Sequence, residues 1–272
     1  MKRLRNFILI AIMIALLITL AGCGESKNNT SNTSNNTTKT NNTSANRSNT
    51  SNKTNTSNST NSSSSTTDVT KYDFISAAKK QVSNPEKGDT IAIFHIKDYG
   101  NITVKFFDEV APKAVENFIS LSKNGYYNGV TFHRVIEDFM IQGGDPTATG
   151  RGGQSVWETA FEDEFDFSVA PYRGALCMAN SGSNTNGSQF FIEQAKYDED
   201  TYELLKNNGY PDNLLEAYKL YGGSMHLFYA HTVFGQVIDG MEVVDKIAAC
   251  ETDENDKPVN DVVIESIEIT EY

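Results

Sequence analysis

The chain has 272 residues, with 23 basic and 35 acidic side chains and a formal net charge of −12. Seven of the basic residues but only two of the acids, Glu25 and Asp68, fall within residues 1–70, so the acidity is concentrated in residues 71–272. Such a surface repels phosphate backbones, which argues against nucleic acid as a partner and in favour of simple solubility.

The N-terminus reads as an address. Lys2, Arg3 and Arg5 form a positive cluster, and Phe7 to Ala21 is uncharged and apolar. That stretch is short for a membrane-spanning helix, which needs ~20 residues. It has instead the layout of a secretory signal peptide over residues 1–22. Leu20-Ala21-Gly22-Cys23 resembles the lipobox of bacterial lipoproteins. The resemblance implies cleavage before Cys23 and a diacylglyceryl group on its thiol, so that acyl chains hold the protein on the membrane. An uncleaved single-span anchor is the alternative, and both place the remaining chain on the extracytoplasmic side.

Residues 23–70 then form a tether. Between residues 28 and 67 only Lys39, Ala45, Arg47 and Lys53 are not Asn, Ser or Thr. Without apolar side chains this segment cannot offset the entropy of ordering and is expected to be disordered. As a coil it spans ~35 Å on average.

A short lead-in, residues 71–87, has helical spacing in Phe74, Ala77, Ala78 and Val82 and stops near Asn84-Pro85. The folded domain is expected over residues 88–272. Thr90–Ile96 reads as a strand, Lys97–Gly100 as a turn, and Asn101–Phe107 alternates as a second strand. Pro112 opens a helix whose stripe is Ala114, Val115, Phe118, Ile119 and Leu121, and Gly125 stands where a left-handed cap belongs. Short strands separated by glycine turns continue as far as Phe191-Ile192. Residues 197–223 break that rhythm: polar, helical in tendency, and interrupted at Tyr210-Pro211, they read as an insertion. A second helix is expected near Met241–Ala248, and a last strand through Val262, Ile264, Ile267 and Ile269. Many strands with two helices suggest a closed antiparallel barrel capped at its ends.

The three cysteines, Cys23, Cys177 and Cys250, show no zinc-like spacing and no disulfide framework. Buried free thiols are expected at Cys177 and Cys250, with a disulfide between them left open. The four histidines show no ligand spacing either, and no metal or other cofactor is expected.

Three blocks carry chemistry. The first is Phe132-His133-Arg134-Val135-Ile136-Glu137-Asp138-Phe139-Met140-Ile141-Gln142-Gly143-Gly144-Asp145. The second runs from Met178 to Ile192 as MANSGSNTNGSQFFI, and the third from His231 to Val237 as HTVFGQV. In order and spacing they resemble the conserved patterns of cyclophilins, and the resemblance covers about residues 88–272. It implies a mainly β fold, an eight-stranded barrel capped by two helices, with peptidyl-prolyl cis–trans isomerase (rotamase) activity. Rotation about the prolyl bond has a barrier of ~18–20 kcal/mol but makes or breaks no covalent bond, so it requires no nucleophile, metal or general base. It requires a slot for the proline ring and a donor for the prolyl nitrogen, whose lone pair is freed in the twisted state.

Carried over position by position, the resemblance makes Arg134 that donor and Gln142 the residue that orients it. Phe139, Met140, Phe191 and Leu227 match the walls of the slot. Ala179 and Asn180 match the stretch that binds substrate backbone, Gln189 a further polar contact, and His231 the rim. Taken alone, Phe139, Met140 and Phe191 would read as barrel core. Two departures stand out. Leu227-Phe228-Tyr229-Ala230 replaces the family's Leu-Asp-Gly, so the tight turn is expected to be lost. His226, five before His231, stands where many members have Trp. The expected partners are proline-containing segments of secreted proteins, met by a monomeric, membrane-anchored isomerase that assists folding. A non-catalytic module that only binds such segments is the alternative.

Overall fold

The structure, a computed structural model, describes residues 69–272. The signal segment, Cys23 and nearly all of the tether lie outside the described residues.

Eight strands form one antiparallel sheet. They are β1 (Thr90–Ile96), β2 (Gly100–Phe106), β3 (Arg134–Ile136), β4 (Met140–Gly143), β5 (Ala175–Met178), β6 (Phe190–Glu193), β7 (Val233–Asp239) and β8 (Ile264–Glu271). Five α-helices occur among the described residues: α1 (Phe74–Gln81), α2 (Pro112–Lys123), α3 (Glu199–Asn207), α4 (Asp212–Tyr221) and α5 (Met241–Ala248). The strand order is β3-β4-β6-β5-β7-β2-β1-β8.

The expected closed barrel with two helices is corrected by this topology. The ladder ends at β3 on one side and β8 on the other, leaving a curled half-barrel. The two edges are joined by the single bridge Thr131–Val263 and by neighbouring backbone bonds such as Phe132 N–H to Val262 C=O, 3.0 Å. β3 is only three residues long, and the chain facing it ahead of β8 is irregular and contains Pro258, which has no N–H to give a ladder.

The core lies on the inner face. Alternation along each strand sends Phe94, Ile102, Val104, Ile141, Leu176, Phe190 and Ile192 inward. Phe190 is fully buried and lies within 5.5–6.2 Å of the rings of Phe94, Phe118, Tyr127 and Phe132. Each such side chain contributes about 1.5–3 kcal/mol on leaving water. Helices α2 and α5 cover this core with Ala114, Val115, Phe118 and Leu121 from one, and Val243, Val244 and Ile247 from the other. The start of α2 has no cap of its own. Glu164, 50 residues on, supplies one, its carboxylate accepting from the amides of Lys113 (3.1 Å) and Ala114 (2.9 Å). Gly125 follows the helix at φ 70°, the left-handed conformation expected there.

A second apolar cluster joins elements far apart in sequence. Phe74 and Ala78 of α1 pack with Leu205 of α3, Leu214, Leu215 and Tyr218 of α4, and Tyr172. The insertion is helical on both sides of Tyr210-Pro211, as its sequence suggests. Its apolar face is spent on the lead-in helix, which the sequence does not reveal. The Asn213 side-chain amide donates to the carbonyls of Val69, Thr70 and Tyr72. Lys105 of β2 reaches from the sheet to carbonyls at the C-terminal end of α1, at Lys80 and just beyond it at Ser83.

Candidate active site

The outer face of the same strands carries a different set of side chains. Strand register aligns Arg134 with Gln142, Gln142 with Phe191, Phe191 with Cys177, and Cys177 with Val233. These five positions form one row across five strands, all on the face opposite Ile141, Ile192 and Leu176. Beside the row, Met140, Phe191, Leu227, Val233, Cys177, Ala175 and Val169 form an apolar cluster of their own, with Phe139, Ile136 and Ala179 partly buried against it. The four expected slot walls are therefore together, and they belong to this cluster rather than to the inner core.

Each wall is held by its surroundings. Phe139 sits on the β3–β4 hairpin, where Asp138 adopts φ 59°. The Phe139 carbonyl accepts from the amides of Gln194 (2.7 Å) and Ala195 (3.0 Å), and the Asp138 amide donates to the Gln194 side chain. Leu227 ends a short 3-10 turn, Met225–Leu227, that leads out of the insertion. The expected loss of the next turn is corrected. The Ala230 amide donates to the Leu227 carbonyl at 2.9 Å, with Phe228 at φ −59°, ψ 127° and Tyr229 at φ 60°. That is a type II turn in which Tyr229 takes the conformation a glycine would normally supply.

The polar groups line the other side. Gln142 lies opposite Arg134 in the ladder, but its side-chain amide donates to Gln189 (2.9 Å), and Gln189 in turn donates to the Gly152 carbonyl (2.8 Å). The Arg134 side chain is 38% exposed, and its Nε stands 3.9 Å from the Asp256 carboxylate. Ala179 donates its amide to Gln189, and Asn180 donates its side-chain amide to Ala230 (3.1 Å). Gln142, Ala179, Asn180 and Gln189 border a polar recess closed by the loop around Gly152. That loop is organised by Asp145, which accepts from Thr147, Thr149 and Gly152. Burial works to raise the Asp145 carboxyl, but the bonds from the Thr147 hydroxyl and the three amides outweigh it and hold it at about 2. Gly144 precedes the loop at φ 88°, and a Cβ there would stand 2.4 Å from the Ser188 carbonyl.

The two histidines near the slot are neutral at physiological pH. Burial lowers His231, although its bond to the Met178 carbonyl (3.0 Å) opposes this and places the proton on Nδ1. The ring stands edge-on to Phe191 at 5.3 Å. His226 is pushed down to about 4, first by burial and then by His231, and its ring lies 5.9 Å from Phe139. His226 thus borders Phe139. One buried group is not anticipated by the sequence reading. Glu193, opposite Met140 in the ladder, is fully buried, and burial raises its carboxyl to about 8 despite bonds from the Ser224 hydroxyl and the Ala195 amide. Its place at the end of Phe190-Phe191-Ile192-Glu193, where the alternation points outward, is the only sequence signal for it. Cys177 is a free, fully buried thiol, raised well above its ordinary value by burial, and Cys250 is free as well.

Residues 91–269 match the family model described as cyclophilin type peptidyl-prolyl cis-trans isomerase/CLD. A Staphylococcus epidermidis protein provisionally named a peptidyl-prolyl cis-trans isomerase is 51% identical over 192 residues, covering 70% of this chain and 98% of that protein. A Staphylococcus aureus protein of the same name is 51% identical over 187 residues, covering 68% and 94%. Among solved structures, a Cryptosporidium parvum cyclophilin type peptidyl-prolyl cis-trans isomerase aligns with TM-score 0.52 and 34% identity, over 67% of this chain and 98% of that one. The same parasite protein determined in the presence of the dipeptide Ala-Pro aligns equally well.

Proposed function

The chain belongs to the cyclophilin-type peptidyl-prolyl cis–trans isomerases, and from that premise we propose how its site turns the bond before a proline. The protein is an isomerase of peptidyl-prolyl bonds. The proline ring enters the slot of Phe139, Met140, Phe191 and Leu227, with His231 at its rim. The substrate backbone lies along Ala179 and Asn180. As the bond twists, the prolyl nitrogen loses its conjugation and gains a lone pair, to which the Arg134 guanidinium donates. Arg134 thereby favours the twisted state over both planar ones, which is the condition for rate enhancement. Gln142 acts through the Gln142–Gln189–Gly152 chain, which fixes the polar wall opposite Arg134.

The observation that carries this reading is the in-register row. Antiparallel pairing puts a permanent cation, an amide and an aromatic wall side by side on one face. Arginine suits the donor position because it stays protonated at any pH the protein meets. The test is to follow exchange in a proline peptide with the full chain present. Exchange well above the uncatalysed rate is expected. Exchange at the uncatalysed rate, with the peptide bound, would leave only the binding module.

The setting of the activity rests on residues 1–23. A lipid on Cys23 would hold the domain on the extracytoplasmic face of the membrane, where secreted chains containing proline are its clients. Labelling with a fatty-acid analogue should mark the wild type and not Cys23→Ala; an unlabelled wild type overturns the anchor.

A further inference from the structure

Tyr229 is a costly choice of residue. It holds φ 60° in a type II turn, a conformation that a non-glycine residue adopts at a cost of about 1 kcal/mol or more. The residue is nevertheless 38% exposed, and Phe165 is 39% exposed. Tyr229 is the hub of an aromatic group, with centroids 4.8 Å from Phe228, 5.0 Å from Phe167 and 5.2 Å from Phe165. The rings of Phe165, Phe228 and Tyr229 edge a shallow groove that also touches Val169, His231 and Val233. Val169 and Val233 belong to the apolar cluster of the proline slot as well, and His231 packs on Phe191. The groove thus shares part of its lining with the slot.

Its rim is acidic. Glu164 is committed to the start of α2, but the exposed Asp166 stands at the groove with one oxygen taken by the Ser168 amide. Asp166 also bears on the ring of Tyr229: burial first, and then the Asp166 charge, raises that phenol above its ordinary value. A stack of exposed aromatic faces beside a carboxylate suits one chemistry above others. A cation gains from both the ring faces and the charge, whereas an acidic side chain is repelled by each.

We infer that the groove built on Phe165, Phe228 and Tyr229, with Asp166 at its rim, is a second subsite that holds a lysine or arginine side chain flanking the bound proline. This rests on the slot reading, because the occupant is part of the same polypeptide whose proline lies in the slot. The cost of placing a tyrosine at a positive φ is offset by its contacts with the three rings, and the exposed face of the ring is what the subsite uses.

The test uses the full chain and proline peptides carrying arginine, alanine or glutamate at each of the three positions on either side of the proline. Exchange rates and affinities, the latter by fluorescence polarisation, are measured together. At one of these positions arginine should be favoured over glutamate by roughly fivefold to tenfold, and the preference should shrink as salt is raised. Tyr229→Gly relaxes the turn while removing the ring, and should bring the arginine-to-glutamate ratio close to one. Asp166→Asn should lower it in part, and Tyr229→Phe should keep most of it. A wild type indifferent to arginine at every position overturns the inference, as does a preference that survives both Tyr229→Gly and Asp166→Asn. If no peptide is isomerised, the enzyme reading fails by itself, and the affinity ratios still decide the groove.

Discussion

Strands β4, β5 and β6 have two faces, and they are built to different rules. Inward, Ile141, Leu176, Met178, Phe190 and Ile192 are all apolar and close-packed against further aromatic rings. Outward, the alternate positions are Met140, Gln142, Ala175, Cys177, Phe191 and Glu193, a mixture of apolar walls, an amide, a thiol and a carboxyl. Those inward side chains have no polar group to satisfy. On the outer face the Gln142–Gln189–Gly152 chain and the Ser224 hydroxyl bond to one Glu193 oxygen meet part of the polar demand, while the other Glu193 oxygen is buried without a partner. A two-residue period thus separates what holds the sheet together from what acts on substrate, within a single four-residue strand such as Phe190–Glu193.

The sharpest test of that division is Arg134, at the end of the outer row. Arg134→Ala should lower turnover by ~100–1000-fold, the scale of losing a preorganised donor to a transition state. Peptide affinity should change much less, because the slot walls are intact. Arg134→Lys keeps the charge without the planar fork and should recover only part of the rate. Exchange rates and affinities measured side by side decide this. Full activity in Arg134→Ala would remove the donor from the mechanism.

The adjacent phenylalanines set the two faces against each other directly. Phe190→Ala should cost ~3–5 kcal/mol of unfolding free energy by cavity formation among four rings. Phe191→Ala should cost less in stability and more in peptide affinity, since its ring packs on His231 at the slot rim. Urea titrations with equal losses for the two variants would erase the distinction.

Glu193 offers a smaller effect with a defined pH window. Its buried carboxyl titrates at about 8, against an ordinary 4.5. Between those values the unfolded chain has released the proton while the folded one retains it, so stability declines as pH rises through the window and levels off above it. The total is on the order of a few kcal/mol. Glu193→Gln should flatten the dependence and be the more stable protein at pH 8; thermal unfolding across pH 4–9 gives the comparison. Parallel wild-type and variant curves would mean that Glu193 is not the titrating group. The least effect is expected from Gln189→Ala, which deprives the Gln142 amide of its acceptor and should cost ~1 kcal/mol in stability, read from the same unfolding curves.

Much of this is legible in the chain. Strand β1 and helices α2 and α5 follow the periodicity of their apolar residues, with Pro112 and Gly125 marking the ends of α2. The three sequence blocks contain every slot wall except Leu227. What the sequence hides has particular causes. The turn after Leu227 is expected to fail because Tyr229 is not glycine, yet three aromatic contacts hold it at a positive φ. The open edge between β3 and β8 is not foreseen because alternation reports which face is buried, not whether a ladder continues past Pro258. The lead-in and the insertion show amphipathic spacing separately, and nothing local says that Phe74 belongs with Leu215.

Local chemistry therefore determined the elements and the alternation that gives each strand an inner and an outer face, because these depend on backbone geometry and on residues a few positions apart. The three blocks further named the family and its candidate residues. Only the tertiary structure decided the register that aligns Arg134, Gln142, Phe191 and Cys177, the capping of α2 by Glu164 from fifty residues away, the burial of Glu193, and the aromatic groove beside the slot. Each of those depends on which strands and loops become neighbours. That is settled by the packing of the whole core against the entropy of closing the loops between them, a balance no short stretch of sequence contains.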